Sequence, residues 1–508
     1  MPRIAPTLLA VSIAASVLTA CSDGSDDRTG GVINPCPGTE TETERLFLQQ
    51  LSDTSVIIKW RGEATTACIG ASADSLDTLV EATVTDGEHK EALFSGLTPQ
   101  SMYYYSIGGA STAPADQFYI TAPAAGELPQ DGNTRVWLIG DSGTNSDDET
   151  NHAGEAAEVL AGMEAFVAAD GEPVDVFMML GDNAYDVGSD FNYQQAVFEL
   201  YVALLKQVSV WPTIGNHEMG IGTDIPAPGL GTSADPDSYR ATAEDTPSRM
   251  PYLDIFSLPS DGEAGGVPSG TEQYYSFDYG NVHLVSLDSQ LSARDDNQIS
   301  AMRDWLVDDL SSNDADWTIV IFHHPPYSKG ANHDSDDTAK VGGFDEPQRY
   351  MREQFVPVFD AYGVDLVYNG HSHSYERSYY LHDHTGTSDT FSTAEHAELV
   401  DGNPQTPASG RGDEAYQQLS PTSGGVDDRV VYTVAGSGGK ADESSGLTDP
   451  SVWLLHAAHI EQPADTVTPR RRGLGIKGSV IVDANENQLK ASFIDVNGDV
   501  QDSFIINR

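Results

Sequence analysis

Short apolar runs alternate with longer amphipathic segments along the chain from residue 135 onward. Each run has the length of a strand and is bounded by turn residues, which predicts buried strands. The runs are VWLIG (136–140), VDVFMML (174–180), VSVWPTI (208–214), VHLVSLD (282–288), WTIVIF (317–322) and VDLVYN (364–369). Apolar residues recur every three or four positions in three intervening segments, which predicts helices at 153–169, 191–207 and 297–312. Strands that alternate with helices indicate an α/β fold for residues 135–508.

A different pattern occupies residues 39–122, where apolar and polar residues alternate in short runs separated by turn residues. This pattern predicts an all-β sandwich, with strands at 55–60, 78–84, 102–108 and 116–122. Within it, LTPQSMYYYSIG (97–108) resembles a strand pair of fibronectin type III domains. The composition of residues 123–134 is that of a linker to the second domain.

The first twenty residues have the features of a signal peptide, and their apolar stretch, 8–18, is too short to span a bilayer. Leu18-Thr19-Ala20-Cys21 resembles a bacterial lipobox, which implies cleavage before Cys21 and lipidation of that residue. An ordinary signal that leaves Cys21 as a free thiol is the alternative. Residues 21–38 are then a polar tether, and we expect an exported protein anchored by lipid to a bacterial membrane, in the periplasm or at the cell surface.

The remaining cysteines and the charge refine this expectation. Cys36 and Cys68 are the only other cysteines, and export favours a disulfide between them over two buried thiols. The formal net charge is −52, from 78 acidic and 26 basic residues. Because a phosphate backbone requires a basic surface, this balance argues against stable binding of nucleic acid.

Two segments of residues 135–508, 219–272 and 381–428, are rich in Gly, Ser, Thr, Asp and Pro. Both are too long for ordinary connections between a strand and a helix. We predict that they are surface loops near a functional site, and the pattern leaves their role open.

Polar residues that can bind a metal follow five of the predicted strands. They occur in the motifs GDSG (Asp141), GDNAY (Asp182 and Tyr185), GNHE (Asn216 and His217), VIFH (His323) and GHSHSYER (His371 and His373). Taken singly, each residue has an ordinary explanation as a turn or a cap. In α/β sheets, however, ligands bind beyond the carboxyl ends of the strands, so the five positions are expected to converge on one site.

The residue types indicate which metals this site would hold. Two aspartates, a tyrosine and a histidine form a hard, anionic pocket suited to a trivalent ion. An asparagine, two histidines and a shared aspartate form a softer pocket for a divalent ion. Two ions about 3.5–4 Å apart can clamp the attacking and leaving oxygens of a phosphoryl group.

The five motifs resemble, in order, the metal-binding motifs of purple acid phosphatases, which are calcineurin-like metallophosphoesterases. Other metallophosphoesterases begin with Asp-x-His, whereas here Gly143 takes the histidine position and Tyr185 is present instead. The resemblance implies a four-layer α/β/β/α sandwich for residues 135–508. It implies Fe(III) in a first site and Zn, Mn or Fe(II) in a second. The first site would use Asp141, Asp182, Tyr185 and His373, and the second Asp182, Asn216, His323 and His371.

The resemblance also implies a function, the hydrolysis of small phosphate monoesters by attack of a metal-bound hydroxide on phosphorus. His217 would lie beside the substrate and stabilise charge or protonate the leaving group. His333 matches one member of a catalytic histidine pair, whose other position is Asn332 here. Two alternatives remain open at this point: a phosphodiesterase or nucleotidase of the same fold, and a surface binding protein without catalysis.

Overall fold

The computed structural model describes residues 35–85, 88–144, 154–185, 187–219, 250–330, 333–338, 345–403, 405–418, 429–441, 451–462 and 471–508. The predicted signal peptide and lipobox, Asn332 and parts of both long insertions lie outside these residues. Where a strand or helix is described below, its bounds refer to this part of the chain.

The N-terminal region folds into two four-stranded sheets. Its strands are β1 (Glu44–Gln49), β2 (Ser55–Arg61), β3 (Thr66–Gly70), β4 (Thr78–Glu81), β5 (Thr83–Val84), β6 (Lys90–Ser95), β7 (Met102–Ile107) and β8 (Phe118–Ile120). The sheet orders are β1-β2-β6-β5 and β4-β3-β7-β8. Trp60 of the first sheet and Tyr105 of the second are fully buried in one shared apolar core. The sheets therefore pack face to face, as the alternating pattern predicts.

A disulfide lies within this sandwich, and ion pairs join the sandwich to the rest of the chain. The predicted disulfide is present, because Cys36 and Cys68 are bonded to each other. Arg45 and Arg61 both bind the carboxylate of Asp190, at 2.8 and 2.6 Å, and so join the sandwich to the region that follows it.

Residues 134 onward form two larger sheets. The first has the order β11-β10-β9-β19-β20-β21-β17 and the second β12-β13-β14-β15-β18-β16. The strands are β9 (Thr134–Ile139), β10 (Val176–Met179), β11 (Val210–Pro212), β12 (Tyr275–Tyr279), β13 (Val282–Ser286), β14 (Trp317–Ile321), β15 (Leu366–Asn369), β16 (Tyr375–Leu381), β17 (Tyr416–Gln417), β18 (Val430–Ala435), β19 (Gly478–Ala484), β20 (Gln488–Asp495) and β21 (Val500–Asn507). The six apolar runs from 136 to 369 all correspond to strands, β9 to β11 and β13 to β15.

Helices flank the two sheets. They are α1 (Glu155–Asp170), α2 (Asp190–Tyr193), α3 (Val202–Leu205), α4 (Pro251–Ile255), α5 (Asp296–Ser312), α6 (Glu346–Gln354), α7 (Val356–Tyr362) and α8 (Thr393–His396). The single helix predicted over 191–207 is wrong, because a π-helical turn at Gln194–Phe198 separates α2 from α3. Arg45 binds both Gln194 and Asp190 at this break, so a contact with the sandwich accompanies the irregular turn. Over the described residues, no helix is both long and apolar enough to cross a membrane.

The alternation of side chains along β14 shows how the layers pack. Ile319 and Ile321 belong to a core that includes Ile481 and Phe493 of the first sheet. Val320 and Phe322 point to the opposite face, into a second core shared with α5, α6 and α7. On the far side, α1 packs against β19 and β20. The arrangement is an α/β fold with both sheets between helices.

A buried charge cluster joins α5 to the second sheet. His283 of β13 lies 2.7 Å from a carboxylate oxygen of Asp278 and 2.9 Å from one of Asp309. Burial lowers the pKa of His283, but the two carboxylates outweigh burial and raise this pKa to about 9. The imidazolium form therefore belongs to the folded state over much of the neutral range.

This cluster predicts a pH-dependent stability. Because the folded pKa lies above the unfolded value of about 6.5, the stabilisation is complete below pH 6.5 and is lost as pH rises through 9. A shift of this size corresponds to roughly 3 kcal/mol. We expect the melting temperature to fall between pH 6.5 and 9.5, and His283→Asn to flatten that fall. Thermal unfolding measured at steps of pH tests this, and equal slopes for both proteins would contradict it.

Candidate metal centre

The strands that precede the predicted ligands end at one common edge. β9, β10 and β11 are parallel neighbours in the first sheet, and β14 and β15 are parallel neighbours in the second. Asp141, Asp182, Asn216, His323 and His371 each follow one of these strands. The two sheets thus bring together residues that are up to 230 positions apart in sequence.

The backbone at these strand ends is unusual. Asp141, Asp182 and His371 have φ angles of 55°, 52° and 69°, in the left-handed region that residues with a side chain rarely adopt. A glycine precedes each of them, and a Cβ placed on Gly370 would lie 2.4 Å from an oxygen of Asp141. Strained, tightly packed backbone of this kind is concentrated at functional sites.

The first predicted ligand group converges on one point. The Tyr185 hydroxyl lies 3.1 Å from Asp141 Oδ1, 3.2 Å from Asp182 Oδ2 and 3.3 Å from His373 Nε2. His373 Nε2 also lies 3.5 Å from Asp141 Oδ1. Burial, followed by the two carboxylates, raises the pKa of Tyr185 well above its ordinary value. A cation bound beside the phenol oxygen would favour loss of its proton.

The second predicted group converges beside the first. Asn216 Oδ1 lies 3.0 Å from His323 Nε2 and 2.9 Å from His371 Nδ1. The other oxygen of the shared residue, Asp182 Oδ1, lies 3.4 Å from His323 Nε2. Asp182 thus directs one carboxylate oxygen toward each group.

Hydrogen bonds on the far side of His323 and His371 fix which ring nitrogen of each residue faces Asn216. His323 Nδ1 lies 2.9 Å from the Leu180 carbonyl oxygen, and His371 Nε2 lies 2.9 Å from Asp345 Oδ1. Because a carbonyl and a carboxylate can only accept, each of those nitrogens carries a proton. The opposite nitrogens, His323 Nε2 and His371 Nδ1, are the atoms that face Asn216 Oδ1. This convergence of oxygen and nitrogen atoms fits a cation, and the hard oxygen and imidazole donors suit a transition metal.

The two histidines of GHSHSYER do not lie on a strand. Residues 371–374 lie in a turn between β15 and β16, in which the Ser372 amide bonds to the Gly370 carbonyl at 2.8 Å. His371 and His373 therefore do not share one face, as residues two positions apart on an extended strand would. The left-handed φ of His371 turns the chain, and the two rings reach separate ligand groups.

His217 and His333 lie at the rim of the two groups. His217 Nε2 is 3.9 Å from Asp182 Oδ2, and its ring centroid is 4.4 Å from that of Tyr185. The His333 ring packs 3.6 Å from the His371 ring, and its Nδ1 lies 2.8 Å from Asp345 Oδ1. The structure brings both residues to the site, with side chains 19% exposed.

Two carboxylates that support the ligands had no role in the sequence-based prediction. Asp345 contacts both His333 and His371, and these imidazoles hold its pKa below the ordinary value although burial raises it. Glu218 ends the GNHE motif and is buried beneath it. Its position in that motif was an available signal, whereas Asp345 follows no recognisable motif.

Glu218 accepts hydrogen bonds from the backbone of two ligand loops. Oε2 binds the amides of Asp182 and Gly215 at 2.9 and 2.6 Å, and Oε1 binds the amide of Asn183 at 2.8 Å and the hydroxyl of Tyr193 at 3.2 Å. Burial, with Asp182 nearby, raises the pKa of Glu218 to about 7. The carboxyl group thus joins the loops that present Asp182 and Asn216.

Removing this support is expected to loosen the metal centre. Glu218→Ala leaves three loop amides without their partner, and we expect metal affinity to fall by about 10–100-fold. Metal content after dialysis against graded chelator concentrations measures the effect. The exposed Glu199→Ala serves as the matched control, and equal metal retention by both variants would show that Glu218 has no supporting role.

The end of the GHSHSYER motif anchors the site to the rest of the fold. Arg377 is fully buried and binds Asp502 of β21 at 2.8 Å, and the Tyr375 hydroxyl binds the same carboxylate at 2.9 Å. Glu376 accepts hydrogen bonds from the Ser328 hydroxyl and the Lys329 amide at 2.8 and 2.9 Å. These contacts support the turn that carries His371 and His373.

Comparison with known proteins agrees with this geometry. Residues 134–375 match the family model described as calcineurin-like phosphoesterase. Purple acid phosphatase 18 of Arabidopsis thaliana is 28% identical over 307 residues, which cover 58% of this chain and 53% of that protein. Phosphoenolpyruvate phosphatase of Allium cepa is 25% identical over 304 residues, covering 58% and 51%. The matched region thus spans about half the length of these relatives.

Solved structures share the fold. A purple acid phosphatase from yellow lupin (Lupinus luteus) seeds superposes with a TM-score of 0.63 at 18% identity, covering 94% of this chain and 75% of that one. PhoD superposes with a TM-score of 0.55 at 14% identity and covers 92% of both chains. The domain is thus that of the metal-dependent phosphoester hydrolases. Residues 134–375 form a calcineurin-like phosphoesterase domain. Relatives of this chain include proteins named purple acid phosphatases, which confirms the family that the motifs resemble.

Proposed function

We propose that this protein hydrolyses phosphate monoesters with a pair of metal ions held by Asp141, Asp182, Tyr185, Asn216, His323, His371 and His373. The observation that carries the proposal is the convergence of Asn216 Oδ1, His323 Nε2 and His371 Nδ1 beside a second ligand group, with Asp182 shared between them. When bound, the two ions supply the positive charge that activates water and neutralises the phosphoryl oxygens.

The other polar side chains at the rim have roles that follow from their positions. His217 is partly exposed next to the Tyr185 ring, where its imidazole can donate a proton to the leaving alkoxide. We propose that His333 also contacts the substrate through its imidazole, and Asp345 orients this ring through its Nδ1.

We expect His217→Ala to lower turnover by about 100-fold or more while metal content is retained. Unchanged turnover would remove His217 from the mechanism.

For the first site we propose Fe(III), and for the second Zn, Mn or Fe(II). The phenol of Tyr185 among two carboxylates supports a hard trivalent ion, and the imidazole-rich second group supports a divalent one.

An iron-bound tyrosinate absorbs visible light. We therefore expect the purified protein to be coloured and the Tyr185→Phe variant to be colourless. Colour that survives this substitution would refute the assignment of the first site.

We also propose that the protein is exported and anchored to a bacterial membrane through Cys21. The disulfide between Cys36 and Cys68 supports export, because such bonds persist in oxidising compartments. For residues 39–122 we propose a fibronectin type III-like domain, which is supported by the sheet orders β1-β2-β6-β5 and β4-β3-β7-β8. Metabolic labelling with a fatty acid, compared between the full chain and Cys21→Ser, tests the anchor.

One experiment tests the activity itself. Metal content is measured by elemental analysis, and hydrolysis is measured on 4-nitrophenyl phosphate and on bis(4-nitrophenyl) phosphate. Two metals per chain with preferential hydrolysis of the monoester support the proposal. Preference for the diester would favour a phosphodiesterase, and two metals without turnover of either ester would favour a binding protein.

A further inference from the structure

One lysine lies beside the metal centre on a closely packed glycine loop. The loop runs from Gly436 to Lys440, directly after β18. The Gly438 amide donates to the Gly140 carbonyl at 2.9 Å, and the Thr144 hydroxyl donates to the Gly439 carbonyl at 2.7 Å. A Cβ on Gly439 would lie 2.6 Å from the Asp141 carbonyl oxygen, so the loop is in backbone contact with the Asp141 loop. The position of Lys440 is therefore fixed relative to the first ligand group.

The side chain of Lys440 extends over that group. Its Nζ lies 4.4 Å from the centroid of the Tyr185 ring, whose hydroxyl is shared by Asp141, Asp182 and His373. A cation over an aromatic face at this distance is attracted to the ring, which holds the ammonium group at the rim of the site.

Lys440 is one of three described lysines that make no ion pair, out of seven. The whole chain has 78 acidic and 26 basic residues, so a lysine has many carboxylates available to it. Lysines with a carboxylate within 3 Å are Lys59, Lys206, Lys329 and Lys477. Within the described ranges, by contrast, no carboxylate pairs with Lys440. The contact that the structure shows for its ammonium group is with the Tyr185 ring.

We propose that Lys440 binds a second anionic group of the substrate, so that the site favours phosphate compounds carrying another phosphate or a carboxylate next to the bond that is cleaved. This inference rests on the proposed phosphatase function. Metal ions held by the two ligand groups would neutralise the phosphoryl group that reacts, whereas the ammonium group lies over the ring of Tyr185. A flexible lysine with three donors can bind a phosphate or a carboxylate equally well as a point charge.

The test compares substrates with and without the second charge. Wild type, Lys440→Met and Lys440→Arg are assayed on 4-nitrophenyl phosphate and on inorganic pyrophosphate. Lys490→Met, which changes an exposed side chain of β20, is the control. We expect Lys440→Met to lower kcat/KM for pyrophosphate by roughly tenfold relative to 4-nitrophenyl phosphate, as one partly exposed charge-assisted contact would. Lys440→Arg should restore most of the selectivity. Metal content must be equal in all variants.

A binding measurement separates this inference from the activity. Calorimetry compares methylenediphosphonate, which carries the second charge and resists hydrolysis, with phenylphosphonate, which lacks that charge. Weaker binding of the diphosphonate alone in Lys440→Met supports the lysine subsite even if wild type turns over neither substrate, in which case only the phosphatase proposal fails. Equal losses for both ligands, or no loss for either, would overturn the subsite.

Discussion

Replacing Asp182 with alanine is expected to lower monoester turnover by at least about a thousandfold and to deplete both metals. Asp182 directs one oxygen to Tyr185 at 3.2 Å and the other to His323 at 3.4 Å, so its loss opens both ligand groups at once. Metal ions contribute several kcal/mol of transition-state stabilisation, and each 1.36 kcal/mol corresponds to a factor of ten in rate. Elemental analysis and kinetics on 4-nitrophenyl phosphate measure the two effects together.

Two further variants make this experiment specific. Asp304→Ala removes a carboxylate that is 77% exposed on α5, and it should change neither metal content nor turnover. Asp141 is a candidate ligand of the first group alone, and its Oδ2 reaches the second group only through the His371 amide, at 2.7 Å. We therefore expect Asp141→Ala to retain more of the second metal than Asp182→Ala does. If Asp182→Ala retained two metals per chain, the shared ligand would have been assigned to the wrong residue.

The largest effect on stability is expected from Asp502→Ala. This variant leaves the guanidinium of Arg377 fully buried without its carboxylate, and it also releases Arg411, whose Nε lies 2.8 Å from Asp502. Breaking a buried ion pair by removing one partner typically costs about 3–5 kcal/mol. Denaturant unfolding should therefore show a lower midpoint, while metal ligands remain chemically intact.

A double variant tests the stated cause of that loss. Adding Arg377→Met to Asp502→Ala replaces the stranded charge with an apolar side chain, and we expect it to recover part of the stability. Asp116→Ala, which breaks an exposed pair with Lys206, is the control and should cost less than about 1 kcal/mol. If the double variant were less stable than Asp502→Ala alone, the buried charge would not be the cause.

The strands and the ligands of this site were predictable from sequence for a local reason. Four of the five apolar runs end in Gly-Asp, Gly-Asn or Gly-His, and the fifth, WTIVIF, is followed directly by His323. Each run thus lies next to a candidate ligand. β9, β10, β11, β14 and β15 begin and end within a few residues of the predicted runs. The convergence then follows from the rule that ligands bind at the carboxyl ends of parallel strands.

Features that depend on contacts distant in sequence were not predictable. The break between α2 and α3 coincides with the contact of Arg45 with Asp190 and Gln194, about 145 positions away. Asp345 contacts His371 and His333 from a segment without a motif, and Lys440 is significant only because the chain folds it over Tyr185. In each case the partner is known only once the fold is known.

The distribution of the ligands over five strand ends has a consequence for how this protein can change. No peptide segment contains enough of the site to bind both metals, so the chemistry cannot be transplanted as a fragment or retained in a partial domain. Each candidate ligand lies within a few residues after the end of a strand, so the remainder of each connection can vary in length without displacing the site. Exchanging such a connection is therefore the expected route to a new substrate preference with the metal chemistry preserved, in evolution as in the laboratory.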